Sequence, residues 1–143
     1  MVNDAYEVER GNTGVAFKNS NRIHFDNVIE DPIAEGCVVK AMRGSECVGC
    51  VVWSEDADSL YFGPLAIMTG CQGKGIGRKL IVEGLCRQKQ KLLLKMCVVN
   101  HRTDLIPMYE HLGFVQTGDT KPYYEPNYLT RESWFVFFEK IIK

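Results

Sequence analysis

A glycine-rich segment that joins a strand to a helix constrains the fold of this chain more than any other stretch. Three glycines alternate within Gln72–Leu80, which follows the apolar run Ser59–Met68 and precedes a helical pattern that ends near Lys91. Alternating glycines leave a run of backbone N–H groups uncovered by side chains at the positive end of a helix dipole. The segment therefore predicts an α/β fold with a loop that binds a phosphate group.

Three anion-binding motifs can be compared with this segment. A P-loop for Mg-nucleotides needs a lysine and a hydroxyl residue where this chain has Ile76 and Gly77, which excludes it. The dinucleotide fingerprint fails because Arg78 occupies its last glycine position. The remaining motif, Q/R-x-x-G-x-G/A, is matched by Gln72, Gly75 and Gly77.

This motif resembles the pyrophosphate-binding signature of the GNAT superfamily of acyl-CoA-dependent N-acyltransferases. The likeness runs along the whole strand–loop–helix stretch Leu65–Gly77, and Tyr109–Phe114 is similar to the second hallmark of the family, Y-x-x-x-G-F. One helix and one buried strand separate the two motifs, as they do in the family. The resemblance covers residues 36–143 and implies a single GNAT-like α/β domain.

The hydrophobic pattern predicts a mixed central β-sheet with flanking helices. Two β-rich runs joined by Arg43–Ser45 predict a hairpin. A strand, a helix and a buried strand in succession predict a right-handed crossover between parallel strands. The predicted strands are 37–42, 47–53, 59–68, 92–99, 114–118 and 134–142, and the predicted helices end near Lys91 and at Gly113.

Length and composition agree with one domain over residues 1–143. A chain of 143 residues with 45% hydrophobic residues can bury a core without disulfide or metal staples. Its net charge of -1 argues against nucleic acid or an anionic membrane as a partner. No apolar run approaches the roughly 18 residues of a membrane span, and the first residues lack a secretory signal. We expect a cytoplasmic or otherwise intracellular protein.

The six cysteines predict structural thiols rather than a metal site. They are spread over apolar segments, where reduced thiols are the commoner use. Cys47 and Cys50 lie three residues apart on a predicted strand, so their side chains point to opposite faces and cannot easily chelate a metal. We therefore expect no metal.

The resemblance implies acetyl-CoA as the acyl donor. Its pantetheine arm would lie along the strand that ends at Ile67, which in the family splays away from the next parallel strand. Gly63–Pro64 stands where that strand must break, and an amide between Leu65 and Ile67 would hold the oxyanion of the tetrahedral intermediate. The implied cofactor-binding residues are Leu65, Ala66, Ile67, Gln72, Gly73, Lys74, Gly75, Ile76, Gly77, Arg78 and Asn100.

Two positions depart from the family pattern. Arg102, rather than Asn100, stands seven residues before Tyr109, where the family commonly has an asparagine that contacts pantetheine. Tyr61 stands where some relatives have a glutamate that acts as the general base. The base therefore stays open among a water chain, Tyr61, His24, His101 and the acidic loop Glu55–Asp58.

Tyr109 is the candidate general acid. The resemblance implies that its phenol protonates the thiolate that leaves the tetrahedral intermediate. The alternative is a core tyrosine that packs against Phe114.

The leading hypothesis is an N-acetyltransferase that transfers an acetyl group directly to a primary amine of a small molecule or a protein. The alternative is a non-catalytic acyl-CoA-binding sensor or assembly module. The aromatic run Trp134–Phe138 is either buried or an oligomer contact, so a homodimer is possible.

The N-terminal segment looks shortened against the family pattern. Asp4–Glu7 resembles the end of the first helix of the family, so the usual first strand and most of that helix would be missing. Phe25, Val28 and Ile29 fit one face of a short helix that ends before Pro32. Because the first helix usually walls the acceptor site, we expect the cofactor half of the site to be the more complete one.

Overall fold

The computed structural model describes residues 37–87, 93–123 and 132–142. The predictions for Asp4–Glu7, His24 and the helix before Pro32 lie outside the described residues. The described elements are β1 (Val38–Arg43), β2 (Glu46–Glu55), β3 (Ser59–Ile67), α1 (Ile76–Arg87), β4 (Leu93–Val99), α2 (Leu105–His111), β5 (Val115–Pro122) and β6 (Trp134–Ile141).

The strands form one mixed sheet, as predicted. Their order is β1-β2-β3-β4-β6-β5. The pair β3 and β4 is parallel, whereas the other neighbouring pairs are antiparallel. Because α1 connects β3 to β4, the parallel pair and the loop that leads into α1 meet near the middle of the sheet.

The predicted hairpin is formed by β1 and β2. Gly44 in its turn has a φ of 62°, a conformation that glycine adopts without steric cost. Arg43 and Glu46 face each other across the turn and form an ion pair of 2.8 Å. The turn residues therefore fix the register of the first two strands.

One hydrophobic cluster packs both helices against the sheet. It combines Leu80 and Ile81 of α1 and Tyr109 of α2 with side chains from the strands. Leu60, Leu94 and Phe138 are almost fully buried, at 0%, 1% and 1% exposure. Burying side chains of this size contributes about 1.5–3 kcal/mol each, so the cluster is the main source of stability in the described part of the chain.

The C-terminal end of α2 follows the predicted glycine stop. Gly113 has a φ of 91°, its N–H donates to the Glu110 carbonyl at 2.9 Å, and the Phe114 N–H donates to the Tyr109 carbonyl at 3.0 Å. These two bonds are those of a Schellman motif. They turn the chain sharply and bring Phe114 back against Tyr109.

One strand is longer than the sequence predicts. The strand predicted to end at Gly118 extends to Pro122 as β5, with an irregularity in its pairing to β6 between Gln116 and Thr120. Gly118, with a φ of 86°, lies inside this irregular stretch rather than at the end of the strand. The aromatic strand β6 pairs with β4 on one side and β5 on the other, and Phe138 is its buried residue.

Candidate functional site

The glycine loop between β3 and α1 has an open backbone. Gly70, Gly73 and Gly75 have φ angles of 89°, 74° and 78°. A Cβ at any of them would meet no atom within 4 Å. Glycine is therefore required here by backbone conformation rather than by crowding, and the loop surface stays accessible to a ligand.

The start of α1 concentrates positive charge beside this loop. Lys74, Arg78 and Lys79 are exposed, and the first turn of the helix contains no acidic residue. Together with the N-terminal amides of the helix, these cations suit an anionic ligand. Gln72 ties the loop to the sheet, because its Nε2 donates to the Ile67 carbonyl at 3.2 Å.

The parallel strands β3 and β4 part after a short stretch of pairing. Their ladder joins Ser59–Tyr61 to Leu93–Lys95. Beyond it β3 continues along β2 as far as Ile67, while β4 continues along β6 as far as Val99. The two strands thus enclose a wedge-shaped gap, which we call the β3/β4 gap; its narrow end lies at Tyr61 and Lys95 and its wide end faces the glycine loop.

The second half of β3 presents its backbone to this gap. The side chains of Leu65 and Ile67 point towards α1, where their methyl groups are 3.8 and 3.9 Å from the position that a Cβ at Gly77 would take. Ala66 is buried. Among the described residues, Ala66 and Ile67 have no ladder partner on β4, which is the arrangement expected where a cofactor backbone replaces a strand.

Tyr109 lies in an aromatic cluster close to the gap. Its ring is 6.4 Å from Phe62, 5.7 Å from Phe114 and 6.4 Å from Phe138, measured between centroids. Burial raises the pKa of Tyr109 to about 12, against the opposing effect of the Arg102 charge, and Cys97 adds to the rise. The phenol therefore keeps its proton at neutral pH, while its ring also belongs to the core.

Asn100 and Arg102 both hold structural contacts after β4. The Asn100 backbone N–H donates to the Trp134 carbonyl at 2.9 Å, and its side-chain oxygen accepts from the Trp134 N–H at 3.0 Å. Arg102 is buried and donates from Nε and Nη2 to the Asp104 carboxylate, each at 3.0 Å. The hydrogen bonds and charge of Arg102 lower the pKa of Asp104 against the effect of burial.

The candidate bases are dispersed around the gap. Tyr61 lies at its narrow end, and its hydroxyl is 3.0 Å from the Cys97 Sγ atom. His101 follows the opposite end of β4, and its Nε2 is 3.2 Å from the Glu132 carbonyl oxygen. The acidic residues Glu55, Asp56 and Asp58 are exposed beyond the start of β3, at the end away from the glycine loop.

A groove beside the glycine loop involves residues that the sequence analysis did not single out. It has a volume of about 470 Å³ and lies between β1 and α1. Arg43 and Cys71 line it together with Lys74 and Lys79, and the Arg43 Nη1 is 3.6 Å from the Cys71 Sγ atom. Arg43 and Cys71 are 28 positions apart in the sequence, so no local sequence pattern predicts their contact.

Cys97 is a further residue that pattern analysis classed only as a core thiol. It alternates with the buried residues Met96 and Val98, which places it on the opposite face of the sheet. The alternation in the sequence could have predicted the face on which Cys97 lies. The contact between Cys97 and Tyr61 could not be predicted in this way, because it depends on how β3 and β4 diverge.

Residues 37–87, 93–123 and 132–142 contain no group of three or more histidine, cysteine, aspartate or glutamate residues that could hold a metal ion. Neither described helix has the length and apolar character that crossing a membrane requires.

Comparison with known proteins identifies a family match. The family model described as an acetyltransferase (GNAT) domain matches residues 34–116, which is more than half of the chain. No curated protein matches the sequence.

Solved acetyltransferases share the fold. A GNAT family acetyltransferase from Elizabethkingia anophelis with acetyl-CoA bound has a TM-score of 0.69 and 19% identity, over 82% of this chain and 84% of its own. A ribosomal-protein-alanine N-acetyltransferase from Brucella melitensis has a TM-score of 0.68 and 18% identity, over 99% and 91%.

A third structure has a longer chain. It comes from Bacillus anthracis, is named as a streptothricin acetyltransferase and contains acetyl coenzyme A. Its TM-score is 0.62 at 16% identity, over 73% of this chain, and the match spans 61% of its own length.

Proposed function

The chain belongs to the GNAT acetyltransferase family, and we propose on that basis that it moves an acetyl group from acetyl-CoA directly to a primary amine. The observation that carries this proposal is the open glycine loop before α1, which leads into the β3/β4 gap. An open glycine loop beside a gap between two strands suits a cofactor with a pyrophosphate and a long, narrow arm.

The donor site would use backbone more than side chains. The pyrophosphate would lie on the amides of Gly73–Gly77, with Lys74 and Arg78 supplying charge, and Gln72 and Ile76 would frame the loop. The pantetheine arm would then run into the gap along Leu65–Ile67, where amide and carbonyl groups can pair with it as a strand would. Asn100 stands at the wide end of the gap, where it would meet the arm.

The reaction requires two proton movements. The amine nitrogen attacks the thioester carbonyl carbon, and a preorganised backbone amide near Ala66 or Ile67 stabilises the oxyanion. The carbon–sulfur bond then breaks, and the Tyr109 phenol donates its proton to the leaving thiolate. The proton lost by the amine passes to solvent, from which Tyr109 is reprotonated, so the protein returns to its starting state.

The acceptor in this proposal is a primary amine on a small molecule or on a protein. The names of two structural relatives support both acceptor classes. The Brucella protein is named for an alanine of a ribosomal protein, and the Bacillus anthracis protein is named for streptothricin. A panel containing an alkyl amine, an aminoglycoside-like polyamine and a peptide with a free N-terminus distinguishes the two classes.

Calorimetry with acetyl-CoA tests the donor site. We expect the wild type to bind, and Gly75→Leu to lose binding because the side chain both strains a φ of 78° and covers the loop amides. Gly118→Leu is the matched control: its φ is 86°, a Cβ there meets nothing within 4 Å, and it lies on β5. A wild type that binds no acetyl-CoA at several hundred micromolar contradicts the proposal.

A second function, a non-catalytic acyl-CoA sensor, is favoured by one observation. At the narrow end of the gap the chain has the hydroxyl of Tyr61 and the thiol of Cys97, 3.0 Å apart, rather than a carboxylate that could take a proton from an ammonium group. Tight acetyl-CoA binding without transfer to any amine in the panel supports the sensor and rejects the transferase.

A further inference from the structure

The shape of the β3/β4 gap determines which part of a bound thioester goes deepest. The strands pair as far as Tyr61 and Lys95 and then diverge towards the glycine loop. A ligand held at that loop by its pyrophosphate enters the gap from the wide end. Its acyl group is therefore the part that approaches the narrow end, and this step rests on the proposed function.

The side chain of Tyr61 lies across the narrow end. Its Cε1 and hydroxyl oxygen are 3.5 and 3.6 Å from the position that a Cβ at Gly63 would occupy, so the ring covers the break in β3. Its hydroxyl also contacts the Cys97 Sγ atom on β4 at 3.0 Å. The ring and the thiol together bridge the two strands.

The bridge reaches well into the gap. Cys97 lies two residues beyond Lys95, and at about 3.3 Å per residue this is about 7 Å from the last paired position. An acyl chain long enough to reach this depth must therefore displace the contact between Tyr61 and Cys97 or stop against it.

On the helix-covered face of the gap, the described side chains next to the bridge are closely packed. The sequence neighbours of Tyr61 and Cys97 point to the helix-covered face, where they are packed in the hydrophobic cluster with Tyr109. These neighbours are Leu60, Phe62, Met96 and Val98.

We infer that Tyr61, bridged to Cys97 across the β3/β4 gap, limits this protein to short acyl chains. A specificity role of this kind follows from size: a pocket that is one methylene too short discriminates by roughly 10-fold or more. The wild type is expected to prefer acetyl-CoA over butyryl-CoA, which is longer by two methylenes.

Calorimetric titration with acetyl-, propionyl- and butyryl-CoA tests the inference without any acceptor amine. Tyr61→Ala removes the ring and is expected to reduce the acetyl over butyryl preference in Kd at least 10-fold. Tyr61→Phe keeps the ring, and its preference is expected to stay within about 3-fold of the wild type. Tyr61→Val also removes the ring while retaining a side chain that favours strands, and it replaces Tyr61→Ala if that variant unfolds.

The outcomes separate this inference from the proposed function. If the ring-deleted variants bind all three donors with an unchanged preference for acetyl- over butyryl-CoA, the inference is wrong and the proposed donor site is unaffected. A wild type that does not discriminate between acetyl- and butyryl-CoA overturns it as well. Failure of every acyl-CoA to bind the wild type overturns the proposed function and the inference with it.

Discussion

Tyr109 is a core residue for which we also propose a chemical role, that of the general acid. Its exposure is 5%, and its ring packs edge-on against Phe114 with an interplanar angle of 85°. Burial raises its pKa to about 12, which makes the phenol a weak acid that is fully protonated under ordinary conditions. A buried acid of this kind can act only on a leaving thiolate that comes into direct contact with it.

Replacement of Tyr109 by phenylalanine separates the two roles. The ring and its packing are kept while the proton donor is lost, so we expect kcat to fall roughly 10²-fold or more with the Kd for acetyl-CoA within about 3-fold. Because the pKa is raised to about 12, the wild-type kcat should not decline between pH 7 and 10 through ionisation of Tyr109. Steady-state kinetics over that range, together with calorimetry, provide both values.

The matched control is Tyr123→Phe. Tyr123 is also buried and packs against Phe135 at 5.3 Å between centroids, in a separate cluster with Val99. Its change should leave kcat close to that of the wild type. Equal turnover of Tyr109→Phe and wild type would assign Tyr109 to the core alone.

The glycine loop could be predicted from sequence because its requirements are local. A positive φ and an uncovered amide each depend on one residue and its neighbours, so Gly73 and Gly75 were identifiable from their spacing. The contact between Tyr61 and Cys97 could not be, because 36 residues separate them and their approach depends on the point at which two strands stop pairing.

At the scale of elements, α1 packs closely against the sheet at Gly84. A Cβ at Gly84 would overlap the indole ring of Trp53 on β2. Trp53 is itself buried and lies 5.6 Å from Phe62 between ring centroids. The helix therefore approaches the sheet more closely at Gly84 than any residue with a side chain would allow.

Gly84→Ala should destabilise the protein, although a glycine-to-alanine change in a helix usually stabilises it. In an exposed helix, glycine to alanine stabilises by roughly 0.5–1 kcal/mol. Here the added methyl group must displace Trp53 or shift α1, so we expect a loss of about 1–3 kcal/mol in the free energy of unfolding. Val82→Ala, at an exposed position of the same helix, is the control and should change stability by less than about 0.5 kcal/mol. Urea denaturation measures both, and a stabilised Gly84→Ala would contradict the close packing.

The sequence predicts which segments are helices and strands better than it predicts the residues at which they end. The hairpin, the parallel pair and the stop of α2 at Gly113 depend on turn residues and on continuous apolar runs, which act locally. The extension of β5 beyond Gly118 depends on pairing with β6 from Thr120 onwards. All of its residues are exposed, so no alternation of buried and exposed positions marks the strand.

At the scale of the molecule, the sheet consists of two halves joined at one short seam. The half β1-β2-β3 and the half β4-β6-β5 meet through the pairing of Ser59–Tyr61 with Leu93–Lys95. The core under α1 and α2 spans both halves. The net charge of -1 supplies no general attraction for an anion, so the proposed function assigns the affinity for acetyl-CoA to the loop and to the β3/β4 gap that follows the seam.

A ligand that fills this gap should stabilise the molecule as a whole. Binding to the folded state alone adds about 2.7 kcal/mol to the free energy of unfolding when the ligand concentration is 100 times its Kd. For a chain of this length we expect about 3 °C per kcal/mol, or a rise in Tm of roughly 8 °C with acetyl-CoA. Scanning fluorimetry over a range of acetyl-CoA concentrations measures the shift. Gly75→Leu, which should lose the loop contact, is expected to show no shift under the same conditions. An equal rise in both proteins would mean that acetyl-CoA stabilises the fold from somewhere other than the glycine loop.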